Sequence, residues 1–196
     1  MTRTDIINHY VRGGKSFLEI GYYDGKNHGN ILTDKKIAVD PYPFLVRAGH
    51  KVHKITSDEF FKMAITSGLK YDVIFIDGLH ESQQVDRDIA NALLCINEGG
   101  VILVHDCLPT KIEHTIVPRP KPTGHWNGDV YKSWLKLRDN PNVSMFVIDA
   151  DNGVGVIQKG KQKPKTIEPI FKNITPKNMN ILSLHDWQNS ILPLDV

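Results

Sequence analysis

Two short stretches of the chain end apolar runs in residues that can do chemistry. VIFID followed by GLHE delivers Asp77 and, three positions on, His80, while VILVHD delivers His105 and Asp106. A buried strand has no structural use for a carboxylate and an imidazole at its end. Carboxylates and imidazoles converging on one crevice can serve as general base, as metal ligands, or as both. His80 sits on a loop and can reach into such a crevice, whereas His105 still falls within the apolar run. His80 is therefore the favoured base, with His105 and Asp106 as the other catalytic candidates.

Further upstream, Glu19-Ile-Gly21-Tyr-Tyr23-Asp-Gly25 follows the first apolar run. Glycines there let the backbone turn tightly and approach a ligand. The dinucleotide fingerprint G-x-G-x-x-G is broken by Tyr23, whose side chain would crowd a pyrophosphate. Asp40 closes the second run nineteen residues after Gly21, where an acid accepts hydrogen bonds from ribose hydroxyls. The same Asp40 also suits a plain turn before Pro41. DPYP (40–43) superficially matches the D-P-P-Y tetrad of amino-methylating DNA enzymes, but it follows the second strand instead of the fourth. Ser57-Asp58 is placed either to meet a nucleobase or to cap the helix DEFFKMAI. In GHWNGD, Trp126, Asn127 and Asp129 can touch an acceptor, or else make an Asn-Gly turn with Trp126 as filler and Asp129 opening a helix.

These residues need elements to hold them. SFLEI (16–20), KIAVD (36–40), VIFID (73–77) and VILVH (101–105) are nearly continuous apolar runs, which suit parallel strands covered on both faces. HKVHKI (50–55) reads as a weaker outer strand. Between the last two strong runs, Val85, Ile89, Leu93 and Ile96 repeat at helical spacing, and Gly99-Gly100 ends the segment. The result is a βαβ unit and, by repetition, an α/β fold with a Rossmann-like doubly wound, mostly parallel sheet. Residues 108–128 carry four prolines and no period, so they read as a long surface loop. A helix is expected over roughly 129–139, and VSMFVID (143–149) with VGVIQK (154–159) forms an antiparallel hairpin closing the sheet.

Bulk properties bound the rest. The chain has 196 residues, of which 40% are hydrophobic and 23% charged. That length and composition suit one sheet domain over 1–160. A tail over 161–196 follows, with ILSLHDWQNSILPL expected to pack a helix on the domain or on a second copy in a homo-oligomer. A net charge of +2, from 24 basic and 22 acidic residues, argues against a nucleic-acid partner. The lysines around 159–165 read as a solvated linker. Two cysteines, Cys95 and Cys107, cannot build a disulfide framework. No apolar run is long enough for a membrane, and the first residues lack a signal-peptide core. The expectation is a cytoplasmic protein, with the sequons at Asn142 and Asn173 fortuitous.

Taken together, FLEIGYYDGKN, IAVDPYP, YDVIFIDGLHE, EGGVILVHD, GDVYK and DNGVGVI resemble the class I S-adenosylmethionine-dependent methyltransferases. The resemblance spans roughly residues 15–160 and is nearest to the small-molecule and sugar O-methyltransferases that include macrocin O-methyltransferase. It implies S-adenosylmethionine as cofactor, with Glu19, Gly21 and Gly25 around its methionine part and Tyr23 in the same cofactor-binding set. It also implies Asp40 on the ribose, Ser57 and Asp58 by the adenine, and Asp77 at the same crevice. In metal-dependent relatives, acids matching Asp77 and Asp106 hold magnesium, although His105 stands where some carry a further acid. The implied acceptor is a small molecule, with a sugar hydroxyl first. Alternatives are a nicotinamide-dependent oxidoreductase, disfavoured because Tyr131 is followed four residues later by Leu135 and not by lysine, and a binding protein without turnover. The short lead before the first strand leaves the lid to the proline-rich loop, to GHWNGD or to a partner subunit.

Overall fold

The computed structural model describes residues 1–120, 124–138 and 140–161, together with the backbone of 181–182. Each strongly apolar run forms a strand: β1 (Phe17–Ile20), β2 (Lys36–Val39), β4 (Tyr71–Ile76) and β5 (Ile96–Val104), with the short β3 (Val52–His53) outside β2. The hairpin supplies β6 (Val143–Ile148) and β7 (Val154–Lys159), and β8 (Ile181–Leu182) adds a last short strand. Together they make one eight-stranded sheet in the order β3-β2-β1-β4-β5-β7-β6-β8. Pairing from β3 to β5 is parallel, β7 is antiparallel to both β5 and β6, and β8 runs parallel to β6.

Alternate residues along the strands feed two cores, which is why the runs had to be continuously apolar. Leu18, Ile20, Ile74, Ile76, Ile102 and Val104 face α3 (Ser57–Thr66), α4 (Ser82–Cys95) and α5 (Val130–Leu137). Phe17, Val73, Phe75, Val101 and Leu103 face the opposite side, where α1 (Arg3–Tyr10) contributes Ile6 and Ile7. Each such large apolar side chain, fully buried, stabilises the fold by roughly 1.5–3 kcal/mol. A four-residue helix, α2 (Lys26–Gly29), follows the β1 turn.

Three expectations change in detail. Helix α1 stands outside the sequence reading. Its start carries a capping box, in which the Thr2 hydroxyl accepts from the Asp5 amide and the Asp5 carboxylate accepts from Thr2. Helix α4 gives way directly to β5 at Cys95–Ile96, not at Gly99-Gly100, because Ile96 is buried and pairs with Tyr71 before the register shifts. The proline-rich segment is not all surface: Leu108 and Asn127 are buried, and Ile112–Thr115 make a 3-10 turn. Of the tail beyond residue 161, only Ile181–Leu182 falls within the described residues, as β8; the helix expected over the rest lies outside them. Among the described residues no helix is long and apolar enough to cross a membrane.

Candidate active site

The sheet changes winding direction between β1 and β4, and a crevice opens there at the carboxyl ends of the strands. A cleft of about 380 Å³ occupies it. That volume is within the range of cofactor sites. Its lining comes from the turn after β1 (Gly21, Tyr23), the end of β2 (Asp40) and the start of α3 (Ser57). The loop after β4 (Asp77, Gly78, Leu79) and Gln84 of α4 complete it.

Gly21 has a φ of +92°, and a Cβ there would fall 2.1 Å from the Asp77 carbonyl oxygen. The strand ends meet backbone to backbone, which only glycine permits. Tyr23 also lies in the left-handed region (φ 49°), its ring exposed and stacked on Phe44. The Asp40 carboxylate accepts from the Tyr22, Tyr23 and Tyr42 amides at 3.0, 2.8 and 2.8 Å, so it organises the turn that borders the cleft.

Other members of the set lie apart from this lining. Glu19 is buried beneath the turn, where Asn27 Nδ2 donates to it at 2.7 Å and His28 Nδ1 lies at 2.8 Å. Burial raises its pKa against the hydrogen bonds from His28 and Asn27. Gly25 begins α2 and packs on the Tyr22 ring. Asp58 points outward to Arg87 at 3.2 Å. Thr56, not Ser57 or Asp58, caps α3, through a capping box with Glu59.

Behind Ser57 sits a buried acid that sequence spacing did not single out. Asp88 accepts from Gln84 Nε2 at 3.0 Å, and the same Nε2 reaches Ser57 Oγ at 3.1 Å. Burial pushes the Asp88 carboxyl up to about 6, against hydrogen bonds from Ser57 and Gln84. Because the folded value lies above the ordinary 3.8, the folded chain keeps a proton that the unfolded chain releases between the two. Stability is therefore lost as pH rises through that window. Asp88→Asn should match wild type in urea unfolding at pH 4 and exceed it by about 1–3 kcal/mol at pH 8. An equal difference at both pH values would refute a buried, titrating Asp88.

The acids and histidines of β4 and β5 do converge. His80 Nε2 lies 3.3 Å from Asp77 Oδ1, and its Nδ1 lies 3.2 Å from Asp106 Oδ2. His105 Nδ1 lies 3.2 Å from both Asp77 Oδ1 and Asp106 Oδ2. Asp106, with φ 60°, is buried and accepts from Asn127 Nδ2 at 2.7 Å. Such a backbone conformation in a non-glycine residue is strained and tends to mark functional positions.

Two further groups were missed. Arg3 of α1 donates from Nη1 to Asp77 Oδ2 at 2.9 Å, and Asp151 in the β6–β7 turn lies 3.5 Å from His105 Nε2. Three carboxyl groups thus face three basic side chains. Burial disfavours charge on Asp77, His80, His105 and Asp151, but the mutual attractions win. His105 charge and hydrogen bonding, with those of His80, hold Asp77 below the usual carboxylate range. Asp77 and Asp106 raise His80, and Asp77, Asp106 and Asp151 raise His105 well above the ordinary imidazole value. The hydrogen bond to His105 lowers Asp151 to about 2.

The 125–129 segment covers this cluster. The Trp126 ring stacks on His80 at 5.2 Å and 12°, and its indole N–H donates to the Ile116 carbonyl at 2.8 Å. Asp129 accepts from the Ser82 amide at 2.6 Å and tethers α5 to the start of α4. It satisfies an orphan N–H there, so its side chain holds the two helices together.

Sheet order and switch-point cleft make a fold that the chain shares with S-adenosylmethionine-dependent methyltransferases of known structure. Residues 12–107, just under half the chain, match the family model described as Methyltransferase domain. No curated protein sequence matches the chain. Among solved structures, it is similar to the Podospora anserina methyltransferase PaMTH1 bound to SAH, at 17% identity and TM-score 0.61, over 81% of this chain and 78% of that one. It is also similar to the Bacillus cereus O-methyltransferase in complex with SAH, at 15% identity and TM-score 0.54, over 79% and 78%. MycE of the mycinamycin biosynthetic pathway, in complex with Mg, SAH and mycinamycin VI, matches at 15% identity and TM-score 0.55, over 85% of this chain. The chain spans about half the length of the larger structures it matches, 47% of a Streptococcus mutans methyltransferase and 50% of MycE. At these identities the likeness speaks for the fold.

Proposed function

We propose that the protein transfers the methyl group of S-adenosylmethionine to a hydroxyl of a small molecule, a sugar hydroxyl first. One observation carries this reading: Asp77 belongs both to the lining of the cofactor-sized cleft and to the His80–Asp106 cluster. A methyl donor in the cleft and a proton acceptor in the cluster would meet across a single side chain. The O-methyltransferase of B. cereus and the mycinamycin complex of MycE support an oxygen acceptor on a small molecule.

The chemistry is an in-line displacement at the sulfonium methyl carbon. The carbon–sulfur bond breaks as the acceptor oxygen bonds to carbon, and the acceptor proton must leave. Positioning accounts for much of the acceleration in such reactions. Gly21 and Asp40 shape the cleft for the cofactor, with Ser57 and Gln84 on its far side. His80 takes the acceptor proton on Nε2 once the hydroxyl has displaced Asp77 from that nitrogen and the imidazole has given up its own proton there, while Asp106 on Nδ1 keeps the ring oriented. Trp126, stacked on that imidazole, limits its motion and shields it from water. Trp126 is the candidate acceptor contact, whereas Asn127, fully buried, holds Asp106 in place and Asp129 ties α5 to α4 behind them.

Ligand atoms of Asp77, His80 and Asp106 lie within 4.8 Å of one another. That spacing and donor set fit a divalent cation. Bound through Asp77 and Asp106, magnesium would lower the pKa of the acceptor hydroxyl.

Isothermal titration with S-adenosylhomocysteine and, separately, with NAD tests the assignment. Binding of S-adenosylhomocysteine in the micromolar range without NAD binding is expected. NAD binding alone would favour an oxidoreductase, and affinity for neither would point to a protein that only borrows the fold.

A further inference from the structure

The strand-end cluster contains a cation that belongs to the chain itself. Arg3 is fixed at the first turn of α1, and its backbone N–H donates to Asp151 Oδ2 at 2.7 Å. Its Nη1 donates to Asp77 Oδ2 at 2.9 Å and lies 3.0 and 3.2 Å from the two ring nitrogens of His105. Its Nε stands 3.8 Å from Asp151 Oδ2. Three elements distant in sequence, the ends of β4 and β5 and the β6–β7 turn, thus close on one guanidinium.

That guanidinium occupies an oxygen a metal ion would need. Asp77 Oδ2 is taken by Arg3, and Asp77 Oδ1 is shared by His80 and His105. Asp106 Oδ1 is taken by Asn127, and its Oδ2 is shared by the same two imidazoles. A divalent ion bridging Asp77 and Asp106 would face a planar, permanently charged group already hydrogen-bonded to one of its ligands. Like charges at such distances repel strongly where solvent is scarce.

Resting on the strand-end site proposed above, we infer that Arg3 is the resident counter-cation of that site, and that Arg3 and a divalent metal ion exclude one another on Asp77. Arg3 is then a positioning residue. It holds Asp77 and His105 in place and supplies the positive charge the acids require, and metal enters only when α1 releases it.

The test uses the full chain and Mn²⁺ as probe, followed by titration calorimetry and by loss of the free-ion paramagnetic signal. Arg3→Gln should bind Mn²⁺ at least about tenfold more tightly than wild type, while Arg3→Lys, which keeps the charge, stays within about threefold of wild type. Adding Asp77→Asn to Arg3→Gln should abolish the gain. Arg3→Met, which keeps the alkyl stem, takes the place of Arg3→Gln if the latter does not fold. Equal Mn²⁺ affinity in wild type and the neutral variant overturns the inference, and so does an Arg3→Lys protein that binds as tightly as Arg3→Gln. S-adenosylhomocysteine affinity, measured on the same samples, separates the two readings. Its absence from every variant would sink the methyltransferase proposal, whereas a flat Mn²⁺ response with intact binding sinks only the role of Arg3.

Discussion

Replacing His80 with alanine lowers turnover about a hundredfold or more and leaves S-adenosylhomocysteine affinity within about threefold of wild type. The size follows from the usual contribution of a positioned general base, roughly 10²–10⁴-fold. The split between turnover and cofactor affinity follows from the geometry. His80 contacts Asp77, Asp106 and Trp126, yet it does not line the cleft, so its loss should reach the cofactor only through Asp77. The fold should survive, because the His80 carbonyl, which accepts from the Asp129 amide at 3.1 Å, is kept in the variant. What is lost structurally is one ring stack, worth about 0.5–1.5 kcal/mol, together with the contacts to Asp77 and Asp106, two acids that His105 still partners. His105 serves as the internal comparison. It is only 3% exposed, lies beneath Arg3 and Asp151, and has no comparable access to an acceptor. Steady-state turnover with unchanged rate in the His80 variant would remove the residue from the mechanism.

The sheet was legible because burial on both faces demands continuous apolar runs, and Phe17–Ile20, Tyr71–Ile76 and Val101–Val104 obey that demand almost without interruption. The strand-end acids were legible for the complementary reason that nothing in a buried strand calls for them. Arg3 and Asp151 were not. An arginine at the third residue carries no local signal, and Asp-Asn-Gly reads as turn chemistry. The φ values of that turn, 47°, 63° and 85° at Asp151, Asn152 and Gly153, bear the turn out. The start of α1 did carry a sign, the Thr2–Asp5 spacing of a capping box, which would have revealed the helix though not its reach. Asp88 was hidden differently: on α4 it shares the buried face with Val85, Ile89 and Ala92, where periodicity counts apolar residues and passes over a satisfied acid. Glu19 was placed by resemblance at the cofactor, and the fold puts its carboxylate on His28 and Asn27 beneath the turn.

Gly21→Ala is expected to cost about 2–6 kcal/mol of stability, from backbone strain and overpacking together, and at least tenfold in S-adenosylhomocysteine affinity. The two causes are separable. A φ of +92° is strained for any residue with a Cβ, at about 1–3 kcal/mol. The added carbon would also stand 2.1 Å from the Asp77 carbonyl oxygen and 2.5 Å from its carbonyl carbon. These are backbone atoms, and they cannot rotate away as a side chain would. The neighbouring Gly21 amide donates to Val39 and the Asp77 amide donates to Ile20, so relief requires parting β1 from β4 where both border the cleft. Overpacking of this kind adds about 1–3 kcal/mol. Against a total stability of about 5–15 kcal/mol, the melting temperature should fall by roughly 4–24 °C. Gly68→Ala isolates the first cause, since its φ is +67° and, among the described residues, nothing lies within 4 Å of the added carbon. That variant should lose only the strain contribution and keep its cofactor affinity. If the two alanine variants melt together and bind S-adenosylhomocysteine alike, the contact between the β1 turn and Asp77 does not set the shape of the cleft.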